Sequence, residues 1–506
     1  MMKQLPTESK KFDLKNWCIE NKAYLLLIIL IYQVAVLSIG IINFPYLDDN
    51  ARQVAGMTDF GTTYARWGSE FLSWFVQGSR HLTDLGLTTP ILTGLILSLT
   101  SILAIYIIND QKISWGSSLV ATLIGLNPWF LQCLSFRFDS PYMALSIFCS
   151  FLPFYWWQRN SFTFFLVSVF SLFVMFNTYQ ASSGIYIVIV LFLTFKQLLA
   201  GENFIALCKK VALAAIAYLL SIVSYLIELK FVPSATNNIG GSQALPSLHD
   251  IPSVAYQNSY HYFSELLNQS NRLWLLLLLL LLVLFFISHL SNSKINLGLS
   301  FLYCILYLGL ASLLSFGIFI VYSRNIAGDA PRYIYGFAVF VTISMLSLFN
   351  NRQVKAIYLT SLLVASLLSY YILSFVLVYS STLNYQKEAF NRQAAVLTDD
   401  LKNVVTNERK KVYLNTFFKN STVYANTSRN YPILSKIVPP NDGLYFPNYV
   451  WFNTSSNLGV EMAPLKDTDM SKNQKVVSNH FYDIYTNNKE ISKNTSFAIN
   501  VTVWFD

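Results

Sequence analysis

Charge is what this chain has least of: Asp, Glu, Lys and Arg make up 12% of its 506 residues, against 54% apolar and 16% aromatic ones. Soluble domains carry about twice that share of charge, so the composition excludes the soluble classes and fits a polytopic membrane protein. Cysteine is sparse as well. Cys18, Cys133, Cys149, Cys208 and Cys304 stand singly in or beside apolar segments, with neither a zinc spacing nor a disulfide framework. His81, His249, His261, His289 and His480 lack the spacing of a metal triad, and the chain has no glycine loop for phosphate, no nucleophile elbow and no internal repeat. No metal and no cofactor is called for. The formal charge of +9 comes from Lys and Arg placed largely in short loops between apolar runs, where they set membrane orientation; nucleic acid is not an expected partner.

What the chain does have is apolar runs. About eleven approach the length needed to cross hydrocarbon, near 24–42, 89–108, 113–127, 141–157, 161–176, 183–198, 211–227, 273–289, 296–321, 334–349 and 356–379. The eight leucines from Leu275 to Leu282 read as a lipid-facing span. Basic residues cluster at Lys3 to Lys22, Asp110–Lys112, Arg159, 196–210, Lys294 and 352–355, which marks those loops as cytoplasmic. The intervening loops 45–88, 128–140, 177–182, 228–272 and 322–332 then face outward. The expected plan is a cytoplasmic leader over 1–23, a transmembrane domain over 24–379 with a catalytic first outer loop at 45–88, and an outward domain over 380–506. No cleavage site follows the first span, so it should remain as an anchor. From Ser380 on, Asn, Lys, Asp, Ser and Thr replace Leu, Phe and Ile. This soluble α+β domain should open with a helix over 385–410 and continue with strands at 412–417, 449–452 and 498–504.

The first outer loop is the densest in chemistry. It begins Phe44-Pro45-Tyr46-Leu47-Asp48-Asp49-Asn50-Ala51-Arg52, with two adjacent acids at the membrane exit, where carboxylates are costly. Arg66, Trp67 and Glu70 follow, among apolar residues at helical spacing that suggest interfacial helices. A carboxylate can take the proton of an attacking hydroxyl, while guanidinium groups neutralise a departing phosphate in a fork. The competing reading makes Asp48 or Asp49 a helix cap paired with Arg52; two acids beside several arginines favour the site.

A second constellation is Phe136-Arg137-Phe138-Asp139-Ser140-Pro141-Tyr142-Met143, preceded by Asn127-Pro128-Trp129. Asp139 suits a cap before Pro141, but a cap needs neither Arg137 nor the aromatics, and sugar rings stack on faces such as Trp67, Trp129 and Tyr142. A third runs from Tyr322 to Tyr333 and carries Arg324 and Arg332, phosphate ligands if this loop folds toward the first, or else snorkelling interfacial anchors. The candidate catalytic set is Asp48, Asp49 and Asp139; the candidate phosphate set is Arg52, Arg66, Arg137, Arg324 and Arg332.

Leu47-Asp48-Asp49-Asn50-Ala51-Arg52 and Phe136-Arg137-Phe138-Asp139-Ser140-Pro141, on a plan of many spans ending in an outward domain, resemble the bacterial and phage-encoded O-antigen glucosyltransferases of serotype conversion. Those are multispan enzymes of the C-type glycosyltransferase architecture. The resemblance implies transfer of glucose from undecaprenyl-phosphate-glucose to a sugar of the lipid-linked O-antigen, at the periplasmic face of the bacterial inner membrane, with an acid of the first outer loop as base and inversion at the anomeric carbon. Family members often carry Gly-Arg-Pro in the first loop, where this chain reads Tyr64-Ala65-Arg66-Trp67-Gly68. One rival is a transporter or flippase of lipid-linked sugars, which would place its charges near the bilayer midplane in repeated halves. The other is an O-antigen polymerase or ligase, which a lipid-phosphate hexose supplied alone would separate.

Overall fold

The computed structural model describes residues 14–232, 245–350, 355–405, 410–465, 473–487 and 500–505. Lys3, Lys10, Lys11, Arg352, part of the 228–272 loop, the expected helix end at 406–410 except residue 410, and residues 498–499 of the expected last strand lie outside the described residues.

Among the described residues, eight helices are long and apolar enough to cross a membrane: Lys22–Gly40, Thr88–Ile108, Ser161–Thr178, Gln180–Leu199, Phe204–Phe231, Arg272–Ser291, Leu297–Leu314 and Lys355–Leu401. The other three apolar runs are broken. Residues 113–127 form Trp115–Ala121 and a single tight turn, 141–157 form Ser140–Phe151 followed by a tight turn that starts at Leu152-Pro153, and 334–349 hold Gly336–Ser347. Pro153 lacks the N–H that a continuing helix would use. Asparagine sets several starts, since the side chains of Asn160, Asn203, Asn271 and Asn296 each accept from a backbone N–H of the first turn.

The loops gather at two ends. At one, the Trp17 indole donates to the Gln111 carbonyl, Lys196 pairs with Asp110 at 2.8 Å, and the Asn350 amide donates to Asp110. At the other, loops 45–88, 128–140, 177–182 and 322–332 meet, joined by Asn177 with Glu228 and by Asn258 with the Tyr322 carbonyl.

The last of the long helices, Lys355–Leu401, runs unbroken through position 380, about 70 Å at 1.5 Å per residue. Its polar C-terminal half is held by packing, with Phe390 stacked on Trp451 at 3.7 Å and Gln386 bonded to Asn420 and Ser421. Beyond it lies a five-stranded sheet of order β2-β1-β5-β4-β3, built from β1 (Lys411–Leu414), β2 (Glu461–Pro464), β3 (Asn473–Ser478), β4 (Tyr482–Asn487) and β5 (Asn500–Phe505). β1 is parallel to β2 and β5, and β4 is antiparallel to β3 and β5. The strand expected at 449–452 is instead part of the helix Phe446–Ser456, where Pro447 occupies the first turn that its fixed φ favours.

This C-terminal region rests on the first loop. The Tyr46 hydroxyl donates to the Ile437 carbonyl at 2.6 Å, Lys387 to the Ile42 carbonyl at 2.6 Å, and the Phe44 ring meets Trp451 edge-on.

Candidate active site

The helix Lys22–Gly40 ends at a turn whose residue Leu47 has φ 47°, a left-handed conformation that costs a non-glycine residue about 1 kcal/mol or more. That turn presents Asp48 and Asp49 at the start of the short helix Asp49–Ala55. Asp48 stands at its N-cap and makes no side-chain cap hydrogen bond, and Asp139 stands likewise before Ser140–Phe151 without capping it. Capping is therefore not what either acid does here.

Their partners lie elsewhere in the chain. Asp49 is buried, and its Oδ2 accepts the backbone N–H of Arg137 at 2.6 Å. Arg52, also buried, sits 3.7 Å from Asp49 Oδ1 but makes its close contact to Asp139 Oδ1 at 2.8 Å, and its guanidinium lies over the Phe60 ring at 4.4 Å. Arg66 approaches Asp139 Oδ2 at 4.0 Å and stacks over Tyr179 at 4.6 Å. The Tyr179 hydroxyl in turn reaches the Arg332 carbonyl at 3.4 Å. The Arg332 N–H donates to Gln132 Oε1 at 3.1 Å, and its guanidinium bonds the Tyr333 hydroxyl at 3.3 Å and lies 5.0 Å from the Phe136 ring centre. Asp48 is half-buried and accepts the Tyr64 hydroxyl at 2.6 Å.

These contacts bring Asp48, Asp49, Asp139, Arg52, Arg66 and Arg332 to one place, from three loops far apart in sequence. Arg332 has no carboxylate partner among the described residues. Among the described residues, Arg52 Nε and Nη2, Arg66 Nε and Asp49 Oδ1 are buried without a hydrogen-bond partner, a costly state for charged groups. Burial, then the nearby Asp139, hold the Asp49 carboxyl well above its ordinary value, against the opposing pull of Arg52. Burial works against the charge on Arg52, yet Asp139 and Asp49 outweigh it and keep the guanidinium charged. At Tyr333 burial is outweighed by Arg332 and Arg66, so the phenol is pulled below its ordinary value. The guanidinium groups of Arg52, Arg66 and Arg332 are thus gathered with the carboxylates of Asp48, Asp49 and Asp139, and Asp49 is the acid whose charged form burial disfavours. Guanidinium donors of this kind beside a carboxylate are chemically able to hold an anion.

Other expected residues lie apart from that centre. The Arg137 side chain turns away to Asp84 at 2.7 Å and to the Gly40 carbonyl, so only its backbone N–H serves the acids. Arg324 pairs with Asp329 at 2.8 Å in an exposed loop. Trp129 is packed edge-on to Phe337 in the apolar interior and donates to Gln269. Trp67 packs over Gly61, where an added Cβ would meet its ring at 2.5 Å. Tyr142 joins Phe60, Leu82 and Phe138 in a small apolar cluster close to the acids. Among the described residues no cluster of three His, Cys, Asp or Glu side chains is placed to hold a metal ion.

The sequence assigns no role to Tyr64, Glu70, Gln132 or Tyr333, and marks Tyr179 only as part of the polar run 177–180 suited to hydroxyl-rich substrates; in the fold these five hold the charged groups in place. The polar density of the first loop, the Asn177–Gln180 run and the adjacency of Tyr333 to Arg332 were the signals that could have found most of them.

No curated protein gives a match to the chain. A family model described as glucosyl transferase GtrII does, over residues 37–343, a stretch that takes in the acid pair and all three arginines of the cluster. As that stretch exceeds half of the 506 residues, the chain belongs to the GtrII glucosyl transferase family, the serotype-converting O-antigen glucosyltransferases.

Proposed function

We propose that this glucosyltransferase moves glucose from a polyprenyl-phosphate donor, undecaprenyl-phosphate-glucose, to a hydroxyl of the lipid-linked O-antigen, with inversion. The observation that carries the reading is the set Arg52, Arg66 and Arg332, in which, among the described residues, Arg52 and Arg66 keep buried donors without a hydrogen-bond partner and Arg332 has no carboxylate partner, all beside an acid pair. Forked guanidinium donors suit a phosphate whose charge grows as the glycosidic bond breaks.

In the proposed step the acceptor oxygen attacks the anomeric carbon, its proton passes to a carboxylate, and the bond to the phosphate oxygen breaks with its electron pair. The phosphate leaves with the added charge, which the three arginines receive. Asp48 is the proton acceptor in this scheme, because it is the half-exposed acid, while Asp49 is buried and its carboxyl is held above its ordinary value by that burial. Asp49 holds the Arg137 backbone and Asp139 aims Arg52 and Arg66.

We further propose eleven crossings of the bacterial inner membrane, with the N-terminus in the cytoplasm and the site and the region after 380 in the periplasm. The two-ended grouping of the loops supports it, since the shorter runs 113–127, 141–157 and 334–349 each connect one end to the other. Acceptor choice is assigned to the C-terminal region, which packs against the first loop through Tyr46 and Phe44. The test is reconstitution of the full chain in vesicles with undecaprenyl-phosphate-glucose as the sole donor and lipid-linked O-antigen as acceptor. Glucosylated acceptor supports the reading. Movement of the donor between leaflets without transfer, or joining of repeat units, sinks it.

A further inference from the structure

Between the acid pair and Arg66 the chain forms a helix of only five residues, Phe60–Tyr64, bracketed by the left-handed residues Asp59 (φ 52°) and Ala65 (φ 55°). Two non-glycine residues in that region imply that the surroundings over-determine the geometry. They do so from three sides. The buried Glu70 carboxylate accepts the backbone N–H groups of Phe60 (2.7 Å) and Gly61 (3.0 Å) and the hydroxyl of Thr58. The Tyr225 hydroxyl holds the Ala65 carbonyl at 3.0 Å, and the Trp67 ring fills the space over Gly61. What the helix delivers is two contacts to the charged cluster, the Phe60 ring beneath Arg52 and the Tyr64 hydroxyl on Asp48 Oδ2.

We infer that Tyr64 is a positioning residue for the Asp48 carboxylate, and that Glu70 sets the place of Tyr64 by pinning the short helix. The inference rests on Asp48 as the proton acceptor. A carboxylate free to rotate spends most of its time aimed away from an acceptor hydroxyl; one short bond from a phenol on a clamped helix fixes which oxygen faces the sugar. Glu70 is the more efficient clamp because one carboxylate satisfies two backbone donors that the start of a helix leaves unpaired.

The test uses the purified full chain with undecaprenyl-phosphate-glucose and the lipid-linked acceptor. Tyr64→Phe removes the hydroxyl and leaves the ring that Arg66 overlies. The expected result is a kcat lower by roughly tenfold or more, the range for loss of a hydrogen bond to a charged group, with both KM values unchanged and the melting temperature lowered by no more than about 6 °C. Glu70→Gln is expected to lower kcat as well, and Tyr64→Phe to add little in that background; if Glu70→Gln fails to fold, Thr58→Val, which removes one bond to the same carboxylate, takes its place. A fully active Tyr64→Phe overturns the inference, as does a loss that appears in KM, or one that multiplies independently with Glu70→Gln. Asp48→Asn separates the two readings. If it transfers at full rate, the proton-acceptor assignment fails and the inference with it; if it is inactive while Tyr64→Phe is fully active, only the positioning role is lost.

Discussion

Asp139 is the residue whose loss should be felt most widely, because among the described residues it is the one carboxylate within 4.0 Å of two of the guanidinium groups. Its Oδ1 lies 2.8 Å from Arg52 and its Oδ2 4.0 Å from Arg66, all three side chains being largely buried. Asp139→Asn keeps the shape and one acceptor oxygen but removes the charge and turns an amide toward Arg66 or Arg52. At an effective dielectric of about 20, charges at 2.8 Å attract by roughly 6 kcal/mol and at 4.0 Å by roughly 4 kcal/mol. These gross figures are offset by solvation regained as the site relaxes, and breaking a buried pair from one side costs about 3 to 5 kcal/mol net. At about 2 °C per kcal/mol for a large chain, the apparent melting temperature of the purified variant in detergent should fall by roughly 6 to 10 °C. A phosphate-bearing ligand adds negative charge where the carboxylate was lost, so undecaprenyl phosphate should recover more of the melting temperature in the variant than it adds to wild type. A variant that melts within about 1 °C of wild type, and gains no more from the lipid phosphate, would refute the view that Asp139 balances buried guanidinium charge.

Asp49→Asn should stabilise the chain at neutral pH. A carboxyl raised in the folded state has its charged form disfavoured there, so stability falls as pH climbs from its ordinary value near 3.8 through the raised one. The variant's melting temperature should exceed wild type at pH 7 and converge with it below about pH 4; a gap that persists in acid contradicts the assignment. Arg332→Met should raise the KM for the donor by roughly ten- to a hundredfold, the range for lost hydrogen bonds to a charged group, while the acceptor KM stays put. Gly184→Ala and Gly336→Ala should each destabilise by about 1 to 3 kcal/mol in thermal melts, because both new Cβ atoms would fall within 2.2 Å of the Ser315 carbonyl oxygen.

The acid doublet and the Arg137–Asp139 motif were legible in the sequence because carboxylates beside hydrocarbon are rare enough to stand out alone. Arg66 and Arg332 could be named as candidates, yet only the fold shows that they flank the same tyrosine, Tyr179. Arg137 was named for its guanidinium, yet it meets the acids through its amide, and its side chain goes to Asp84. Backbone donors carry no residue signature. Arg324 and Trp129 show the converse, since residue types suited to phosphate and sugar are equally suited to a surface ion pair and a packed interior. Long apolar runs announced their helices, whereas 113–127, 141–157 and 334–349 are too interrupted to form full-length ones. The helix at Phe446–Ser456 was hidden because a run of Tyr, Val, Trp and Phe has strand propensity, and burial of Trp451 against Phe390 overrides it.

The most direct measurement is the rate of glucose transfer from undecaprenyl-phosphate-glucose by purified Asp48→Asn, with donor affinity measured on the same sample. The account predicts a fall in kcat of a hundredfold or more, the usual size of a lost general base, with the donor bound as tightly as by wild type. Transfer at the wild-type rate by a folded, donor-binding Asp48→Asn would contradict it.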